Sequence, residues 1–304
     1  MSTVSPQSTN RPTTTSAPRL TREQLEKMHV RPISHVGTWA TALAVGLICL
    51  CALWSLARNP HIEWPVVREY MFKPITLRGL GVTLYLTVVS LLIGIVGGVV
   101  LAIMRLSHNP VLSAIAVGYI GLFRSIPLLV QIIFWGYLGA LYANIGIGIP
   151  FTDVTFFTHP TNDLISPTMA ALLALGLNEI AYAAEIVRGG IIAVDHGQTE
   201  SAYSLGMSPV LTLRRVVLPQ AMRTVVPALG NEVISMVKGT ALVSVIAGAD
   251  LLTNLQNVYA QTYQVIPLLM VATIWYGILT ALLSVPQRYL EKRFSRGHRI
   301  ELGR

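Results

Sequence analysis

Residues 200–219 read ESAYSLGMSPVLTLRRVVLP, a polar stretch between two long apolar ones. An acid and two small residues stand at Glu200, Ser201 and Ala202, Gly206 follows four positions after the last of them, and a Leu-Pro pair ends the stretch. Small side chains allow another surface to approach closely. Glycine interrupts a helix, and proline is tolerated at the first position of the next one, where its missing N–H costs little. The stretch therefore predicts short helices in a compact protrusion that is presented to a partner.

The composition indicates an integral membrane protein. Hydrophobic residues make up 53% of the 304 residues and charged residues only 12%, whereas soluble domains contain roughly 25% charged residues. Several apolar runs reach the about 20 residues that a helix needs to cross a bilayer. The net charge of +8 fits basic residues on the inner side of a membrane, so no nucleic-acid partner is expected. Cys49 and Cys51 lie in one apolar run and predict neither a disulfide nor a metal site.

The N-terminal part predicts a tail and one separate helix. Residues 1–37 begin with a stretch rich in Ser, Thr and Pro, which is typical of a disordered tail and not of a signal peptide. Residues 38–57 form the first apolar run. Basic residues before that run place the N-terminus in the cytoplasm. The external connection over residues 58–75 is itself mildly basic, which argues weakly against this orientation.

Further apolar stretches predict an all-α membrane fold with about six transmembrane helices. After the first, we expect spans near residues 76–104, 127–142, 167–187, 221–247 and 265–289. An amphipathic helix precedes the third span, Pro227 kinks the fifth, and an aromatic-rich loop over residues 144–166 lies outside. A basic tail over residues 291–304 follows the last span, so both termini and the segment 188–219 are expected on the cytoplasmic side.

The sequence carries no constellation of residues for covalent chemistry. It contains no GxxxxGK[ST] phosphate loop, which excludes ATP binding by that route, and neither a nucleophile elbow nor a metal-ligand signature. We therefore predict that the chain is no enzyme and contains no catalytic residue, metal or cofactor.

Five ordered motifs resemble the polar amino-acid uptake family of ABC importer permeases (type I), over roughly residues 77–290. Each motif is similar to a pattern of that family, and their order and spacing carry the resemblance. The motifs are GLGVT at 79–83, LFRSIPLLVQ at 122–131, NEIAYAAEIVRGG at 178–190, GQTESAYSLG at 197–206 with LPQ at 218–220, and GNEVISMVKGTALVSVI at 230–246.

Three positions depart from the family's pattern. Ser201 replaces the middle alanine of the family's Glu-Ala-Ala triplet, a small-for-small change that should preserve docking. Glu179 stands where a serine is usual and adds a carboxylate within a helix. Gly239 replaces a polar residue. The first apolar helix, residues 38–57, lies outside the resemblance.

The resemblance implies a permease subunit of an ATP-driven importer for polar amino acids in the bacterial cytoplasmic membrane, a type I transmembrane domain. An extracytoplasmic binding protein would deliver the substrate, two ATPase subunits would use ATP, and a second permease, identical or related, would complete the complex within the bilayer. The loop over residues 188–219 would dock into an ATPase subunit. The coupling residues implied by the family's motif are Gly197, Glu200, Ser201, Ala202, Gly206, Leu218 and Pro219.

Polar residues inside the predicted fourth and fifth spans form two stripes at helical spacing. At about 1.5 Å per residue, Glu179 lies about 18 Å into its span and Glu232 about 16 Å into the next, both near the bilayer midplane. Ionisable residues inside a membrane mark functional sites by default, and carboxylates with basic groups suit an amino acid, which carries both charges. The candidate residues of the substrate path are Asn178, Glu179, Tyr182, Asn231, Glu232 and Lys238.

The same residues permit structural interpretations. Glu232 with Lys238, or Glu185 with Arg188, can form structural ion pairs, and Arg124 can anchor its helix at the membrane interface. The transported amino acid, and whether Glu179 contacts it, stay open at this point.

Two other function classes compete with the importer. An ion-coupled secondary transporter would use the intramembrane acids and predicts an inverted repeat, which is not evident in the sequence. A membrane-embedded enzyme would need a catalytic dyad or a metal set. Within the ABC permease class, a related small polar substrate that is not an amino acid is a further alternative.

Overall fold

The structure is a computed structural model that describes residues 36–148 and 155–294. Most of the predicted disordered tail, residues 149–154 of the predicted outer loop and residues 295–304 of the basic tail lie outside the described residues. Contacts divide the chain into two compact units, residues 1–58 and 59–304, and each is described by itself.

The first unit contributes one long apolar helix, α1 (Val36–Arg58). Its 23 residues extend over about 34 Å, more than the roughly 30 Å of a bilayer's hydrocarbon core. The helix is apolar on all of its faces and its most apolar window has a mean hydropathy of 2.2, which is typical of a helix surrounded by apolar material. It coincides with the predicted run over residues 38–57, although Val36 and Gly37, assigned to the tail, are already helical.

The second unit is almost entirely helical in its described residues. Its first elements are a 3₁₀ turn (Pro60–Ile62), α2 (Trp64–Met71), α3 (Pro74–Arg105), α4 (Pro110–Ser125), α5 (Leu128–Gly136) and α6 (Leu138–Leu141). The next are strands β1 (Asn144–Gly148) and β2 (Thr155–Pro160), α7 (Thr161–Leu164), α8 (Pro167–Ile192), α9 (His196–Ser204) and α10 (Pro209–Thr212). The last are a π turn (Leu213–Val217), α11 (Leu218–Gly239), a 3₁₀ segment (Thr240–Ile246), α12 (Leu251–Thr262) and α13 (Val265–Phe294).

The number of membrane spans agrees with the sequence. In the described residues, five helical stretches are long and apolar enough to cross a bilayer: α1, α3, α8, the stretch from α10 through the second 3₁₀ segment, and α13. A sixth span results if α4 and α5, which meet at 95°, are counted together. The prediction of an all-α membrane fold with about six spans is therefore confirmed.

The third predicted span, residues 127–142, is not one continuous helix. Pro127 disfavours helical backbone at the residue before it, and Ile126 is extended, with φ −94° and ψ 126°. The path consequently breaks between α4 and α5, and α5 has only nine residues. The helix α4 corresponds to the expected amphipathic helix, whereas the predicted span over residues 127–142 consists of α5 and the short α6.

Close packing of α3 against α8 forms the centre of the bundle. Three glycines of α3 face α8, and a Cβ added at Gly94 would come within 2.1 Å of the Glu179 side chain, while one at Gly98 would come within 2.6 Å of Ala183. Small residues at such contacts let two membrane helices approach closely. A cluster of buried apolar side chains from α3, α5, α8 and α11 surrounds this contact: Leu86, Leu91, Ile132, Leu172, Leu175 and Met236.

Two connections expected to be loops contain helices. The helix α2 lies within residues 58–75, and α12 lies between the fifth and sixth predicted spans. Both pack on α13 around a second apolar cluster that includes Val67, Leu255 and Leu268, and the Trp275 Nε1–H donates to the Met71 carbonyl at 2.9 Å. Packing of their apolar faces explains why these short polar-flanked segments fold as helices.

The loop over residues 144–166 is not irregular either. Strands β1 and β2 pair antiparallel, with Asn144 opposite Pro160 and Ile147 opposite Phe157, and α7 follows. Most of the hairpin's side chains are exposed. The sequence did not predict this hairpin, because both strands are short and no clear turn signature stands between them.

Candidate functional site

The 188–219 loop begins with a capped helix. The Asp195 carboxylate accepts a hydrogen bond from the Gly197 N–H at 2.6 Å, which satisfies one of the free N–H groups at the start of α9 and places a negative charge at its positive end. Because this cap lies only three residues after α8 ends at Ile192, α9 is tied closely to the end of a membrane helix.

Gly206 ends α9 in the way that the sequence suggested. Its φ of +77° lies in the left-handed region, where glycine carries no steric penalty. The Gly206 N–H donates to the Tyr203 carbonyl at 2.9 Å, and the Met207 N–H donates to the Ala202 carbonyl at 3.1 Å. These two bonds form a Schellman motif, so the turn is closed by its own backbone.

The exit from the loop differs from the expectation. We expected a new helix to start at the Leu-Pro pair, but the helical path already runs from Pro209 to Ile246 as one stretch. The π turn precedes Pro219, and the Leu218 N–H donates to the carbonyl of Leu213, five residues earlier. A proline ring collides with the carbonyl four residues before it in a regular α-helix, and the wider π turn relieves that collision.

The loop exposes apolar side chains that the sequence analysis did not select. Leu205 is 83% exposed and Val210 is 76% exposed, more than the other large apolar side chains that the loop exposes, among them Ile192, Tyr203 and Leu211. The predicted contact residues Glu200 and Ser201 are exposed, whereas Ala202 is buried at 3%. Ala202 is therefore small because α9 packs there, and not because a partner touches it. Large apolar residues within a polar, loop-forming stretch were the signal that could have identified Leu205 and Val210.

Asn178 braces the bend between α4 and α5. Its Nδ2 donates to the Phe123 carbonyl at 3.1 Å, and the Gln131 Nε2 donates to the carbonyls of Phe123 and Ile126, both at 2.9 Å. These carbonyls lack helical partners because the helix stops before Pro127. The side chain of Asn178 is thus engaged in the fold, which argues against its predicted role in the substrate path.

Glu179 and Glu232 come close together in the interior. Glu179 is only 3% exposed, its side chain packs against Gly94 of α3, and its Oε1 has no hydrogen-bond partner in the described residues. Glu232 of α11 is half-buried and lies close enough for its charge to act on the Glu179 carboxyl. Two acids from different helices therefore lie near each other, and their place in the substrate path stays a prediction.

The polar stripe of α11 lies on one open face. Asn231, Ser235 and Lys238 are all exposed. In the part of the chain that the structure describes, no ion pair joins Glu232 to Lys238. Six positions turn a helix by about 600°, so these two side chains lie on different sides of α11. The structural interpretation of this pair is consequently not observed.

Glu185 is the centre of an ionic cluster that joins three helices. Arg188 donates to both of its carboxylate oxygens, with Nε at 3.0 Å and Nη2 at 2.8 Å, as one structural alternative expected. The Arg105 Nε lies 3.6 Å from Oε1 and the Arg124 Nη1 lies 3.8 Å from Oε2. The Arg124 guanidinium also lies 5.4 Å from the ring centroid of Tyr182.

Arg124 lies at the bend, directly after Phe123, whose carbonyl accepts from Asn178. Its guanidinium lies beside the same carboxylate as Arg105, the last residue of α3, so this cluster is near a helix end and the interfacial anchor stays an interpretation that the structure permits. The 95° turn, invisible in the apolar pattern, puts it beside Tyr182 and Glu185.

A family description matches residues 94–296, and it reads binding-protein-dependent transport system inner membrane component. The chain belongs to this family. The match covers α8 through α13, and therefore both the 188–219 loop and the open stripe of α11.

Relatives of this permease family extend the match beyond that range. The arginine transport system permease protein ArgU of Corynebacterium glutamicum is 38% identical over 281 residues, covering 92% of this chain and 87% of the relative. The nopaline transport system permease protein NocM of Agrobacterium fabrum is 38% identical over 216 residues, covering 69% and 84%. Because the match covers 92% of this chain, it extends into the region before residue 59 that contains α1. The matched part of ArgU therefore includes a counterpart of this extra helix.

A solved structure of an amino acid ABC transporter with histidines is 35% identical and matches with a TM-score of 0.62, covering 73% of this chain and 95% of that chain. The inward-facing MetNI methionine ABC transporter matches with a TM-score of 0.53 at 21% identity, which is a likeness of fold alone. The permease therefore has the type I ABC importer fold that the resemblance implied.

Proposed function

We propose that this chain is the membrane-spanning permease subunit of an ATP-binding-cassette importer for polar amino acids. The observation that carries the proposal is the 188–219 loop, a firmly capped helical protrusion that exposes apolar side chains, in a chain that belongs to the permease family. The names of the relatives, which transport arginine, nopaline and cystine, support an amino acid as the cargo.

The 188–219 loop is the surface on which an ATPase subunit docks. Leu205 and Val210 are large apolar side chains that water would otherwise surround, and such a patch on a polar surface marks a protein interface. Glu200, Ser201 and Gly206 lie exposed on the same protrusion. The chain has no phosphate loop, so ATP is bound and hydrolysed by two partner subunits, and this chain catalyses no reaction itself.

Movement of the loop reaches the middle of the membrane through a continuous helix. The helical stretch Pro209–Ile246 starts within the loop and carries the open polar stripe of α11. A helix transmits displacement along its axis because each turn is hydrogen-bonded to the next. Closure of the ATPases on ATP would therefore shift Asn231 and Lys238 and switch the path between its outward-open and inward-open states.

The exposed polar stripe of α11 is an argument for the presence of a second permease subunit. Polar and charged side chains within a span are costly against lipid, yet Asn231, Ser235 and Lys238 are exposed in the single chain. A second copy, or a related permease, covers this face and completes a polar path between the two subunits. Glu232 and Tyr182 are the further candidates that line it, whereas Glu179 is only 3% exposed and lies buried behind the surface of the single chain.

The loop side of the bundle is the cytoplasmic side of a bacterial inner membrane. Basic residues near the 188–219 loop and in the tail support this orientation, with both termini inside and the binding protein on the opposite face. The proposed organisation is a tail over residues 1–37, an extra helix over 38–57, a transmembrane domain over 77–290 and a basic tail over 291–304.

The experiment that tests the proposed function is uptake into proteoliposomes that contain the permease together with its ATPase, with binding protein added outside. Labelled arginine, glutamine, cystine and histidine are offered in turn. We expect uptake of at least one of them that requires ATP inside the vesicle and is insensitive to proton and sodium ionophores. Uptake that persists without ATP but collapses with the ion gradient would instead establish the ion-coupled transporter.

A further inference from the structure

The cluster around Glu185 has more positive charge than its single carboxylate can balance. Arg105, Arg124 and Arg188 all lie within 3.8 Å of the Glu185 carboxylate, which leaves a formal surplus of two positive charges in the loop-side half of the bundle. These side chains are partly buried, with exposures between 20% and 45%, and a surplus of one sign of charge at such a site attracts an anion. The arrangement therefore favours a bound anion.

The three arginines are not equivalent. Arg188 is engaged in a bidentate pair with Glu185, and its side chain is 28% exposed, as is that of Arg105. Among the described residues, neither Arg124 nor Arg105 donates a hydrogen bond, but the Arg124 side chain is the more exposed of the two, at 45%. Its five N–H groups are therefore the donors of this cluster that a ligand reaches most readily.

Arg124 is also held in one place. The Tyr182 ring supports its guanidinium at 5.4 Å, the Glu185 carboxylate fixes one edge at 3.8 Å, and the braced bend of α4 and α5 fixes its backbone. A guanidinium presents paired donors that match a carboxylate in bidentate geometry. Tyr182, which lies beside it, is 37% exposed. The two side chains together therefore form a small receptor that a ligand can reach.

We infer that Arg124, supported by Tyr182 and Glu185, binds the carboxylate of the transported amino acid in the loop-side half of the path. This inference rests on the proposed function, because it assigns a site to that function's cargo. Glu185 lies six residues, about 9 Å, along α8 from Glu179. The cargo thus meets the acids of the midplane and the Arg124 receptor at successive depths.

The test measures equilibrium binding to the purified permease–ATPase complex without binding protein, so that the selectivity of the binding protein does not enter. The probe is the amino acid that gives the highest ATP-dependent uptake with wild type, with L-arginine tested first, and the comparison ligand is its decarboxylated amine, which is agmatine for L-arginine. We expect Arg124→Gln to weaken binding of the amino acid at least tenfold, and Arg124→Lys to weaken it less. Binding of the amine should change less than threefold in either variant.

Arg68→Gln is the control, because Arg68 is an exposed arginine of α2 that lies outside the Glu185 cluster. It should leave the affinity for the amino acid within threefold of wild type. The midpoint of thermal unfolding is measured for every variant, so that a misfolded one is recognised, and Arg124→Lys retains the charge if Arg124→Gln fails to fold.

Wild-type affinity for the amino acid in both Arg124 variants overturns the inference, and so does an equal loss of affinity for the amine, which would indicate a structural role. Phosphate or phosphatidylglycerol is the other source of an anion. If Arg124→Gln weakens association with phosphatidylglycerol nanodiscs but not amino-acid binding, the residue is a lipid anchor and the inference is wrong. If wild type transports no amino acid at all, the proposed function fails, which is a separate result.

Discussion

The 188–219 loop and the bend between α4 and α5 both interrupt helices, but they are closed in different ways. The loop is closed locally, by the Asp195 cap and by two backbone hydrogen bonds around Gly206. The bend is closed partly by Gln131, which lies five and eight residues from its partners, and partly from a distance by Asn178 of α8. A locally closed break can move as a unit against a partner, whereas a break that is also braced by a neighbouring helix is locked into the bundle. In the proposed mechanism the loop is therefore the part that moves and the bend the part that stays fixed.

The largest effect is expected from a charge on the loop. Leu205→Glu should abolish co-purification with the ATPase and lower ATP-dependent uptake more than tenfold, because a carboxylate buried without a partner in an apolar interface is strongly unfavourable. The permease itself should keep its unfolding temperature, since Leu205 is 83% exposed. Tyr263→Glu, at an 88% exposed position away from the loop, is the control and should retain the ATPase. Loss of the ATPase in both variants would remove the loop from its assigned role.

A smaller but structural effect is expected at the bend. Gln131→Leu keeps a similar volume but leaves the Ile126 carbonyl without its donor and the Phe123 carbonyl with Asn178 alone, which should destabilise the fold by about 1–3 kcal/mol. The thermal unfolding midpoint in detergent should fall by several degrees. Asp195→Ala should lower it less, because water can satisfy the exposed N–H of Gly197. If the two variants are equally destabilised, the bend is not braced as described.

The smallest effect is expected at the turn of the loop. Gly206→Ala introduces a side chain at φ +77°, which costs about 1–2 kcal/mol, although no atom lies within 4 Å of the added Cβ. Asn tolerates this conformation better, so Gly206→Asn should be milder in both unfolding temperature and uptake. Equal effects of Ala and Asn would indicate that the space, and not the backbone conformation, matters at this position.

The same contrast explains what could be predicted from the sequence. The loop was recognisable because its signals are local: Gly206 ends a helix by its own backbone, and polar residues flank it. The bend was not recognisable in the same way. Pro127 predicts only an interruption of the helix, whereas Asn178, which donates to the carbonyl of Phe123, lies more than fifty positions later in the chain. For the same reason Asn178 resembled a path residue when it is a brace.

The candidate site could be predicted only in part, because the sequence shows the spacing of residues along one helix but not the contacts between helices. Helical spacing grouped Asn231 with Lys238, which are both exposed on α11, and Glu179 lies near Glu232, but the role of these residues in the substrate path stays a prediction. Helical spacing did not reveal that Arg124 joins Tyr182, because that contact depends on the direction in which α4 turns. Leu205 lies within the motif at 197–206 and Val210 just after it, but neither was selected because the sequence alone does not show which side chains of the loop are exposed.

The most direct test of the account is a cross-link between the loop and the ATPase. The chain contains only two cysteines, Cys49 and Cys51, which can be replaced by serine. In that background, Leu205→Cys should form a product with the combined mass of permease and ATPase on treatment with a short bifunctional thiol–amine reagent, in an ATP-dependent amount, and Tyr263→Cys should form none. Absence of the product at position 205 in a complex that still transports would contradict the account.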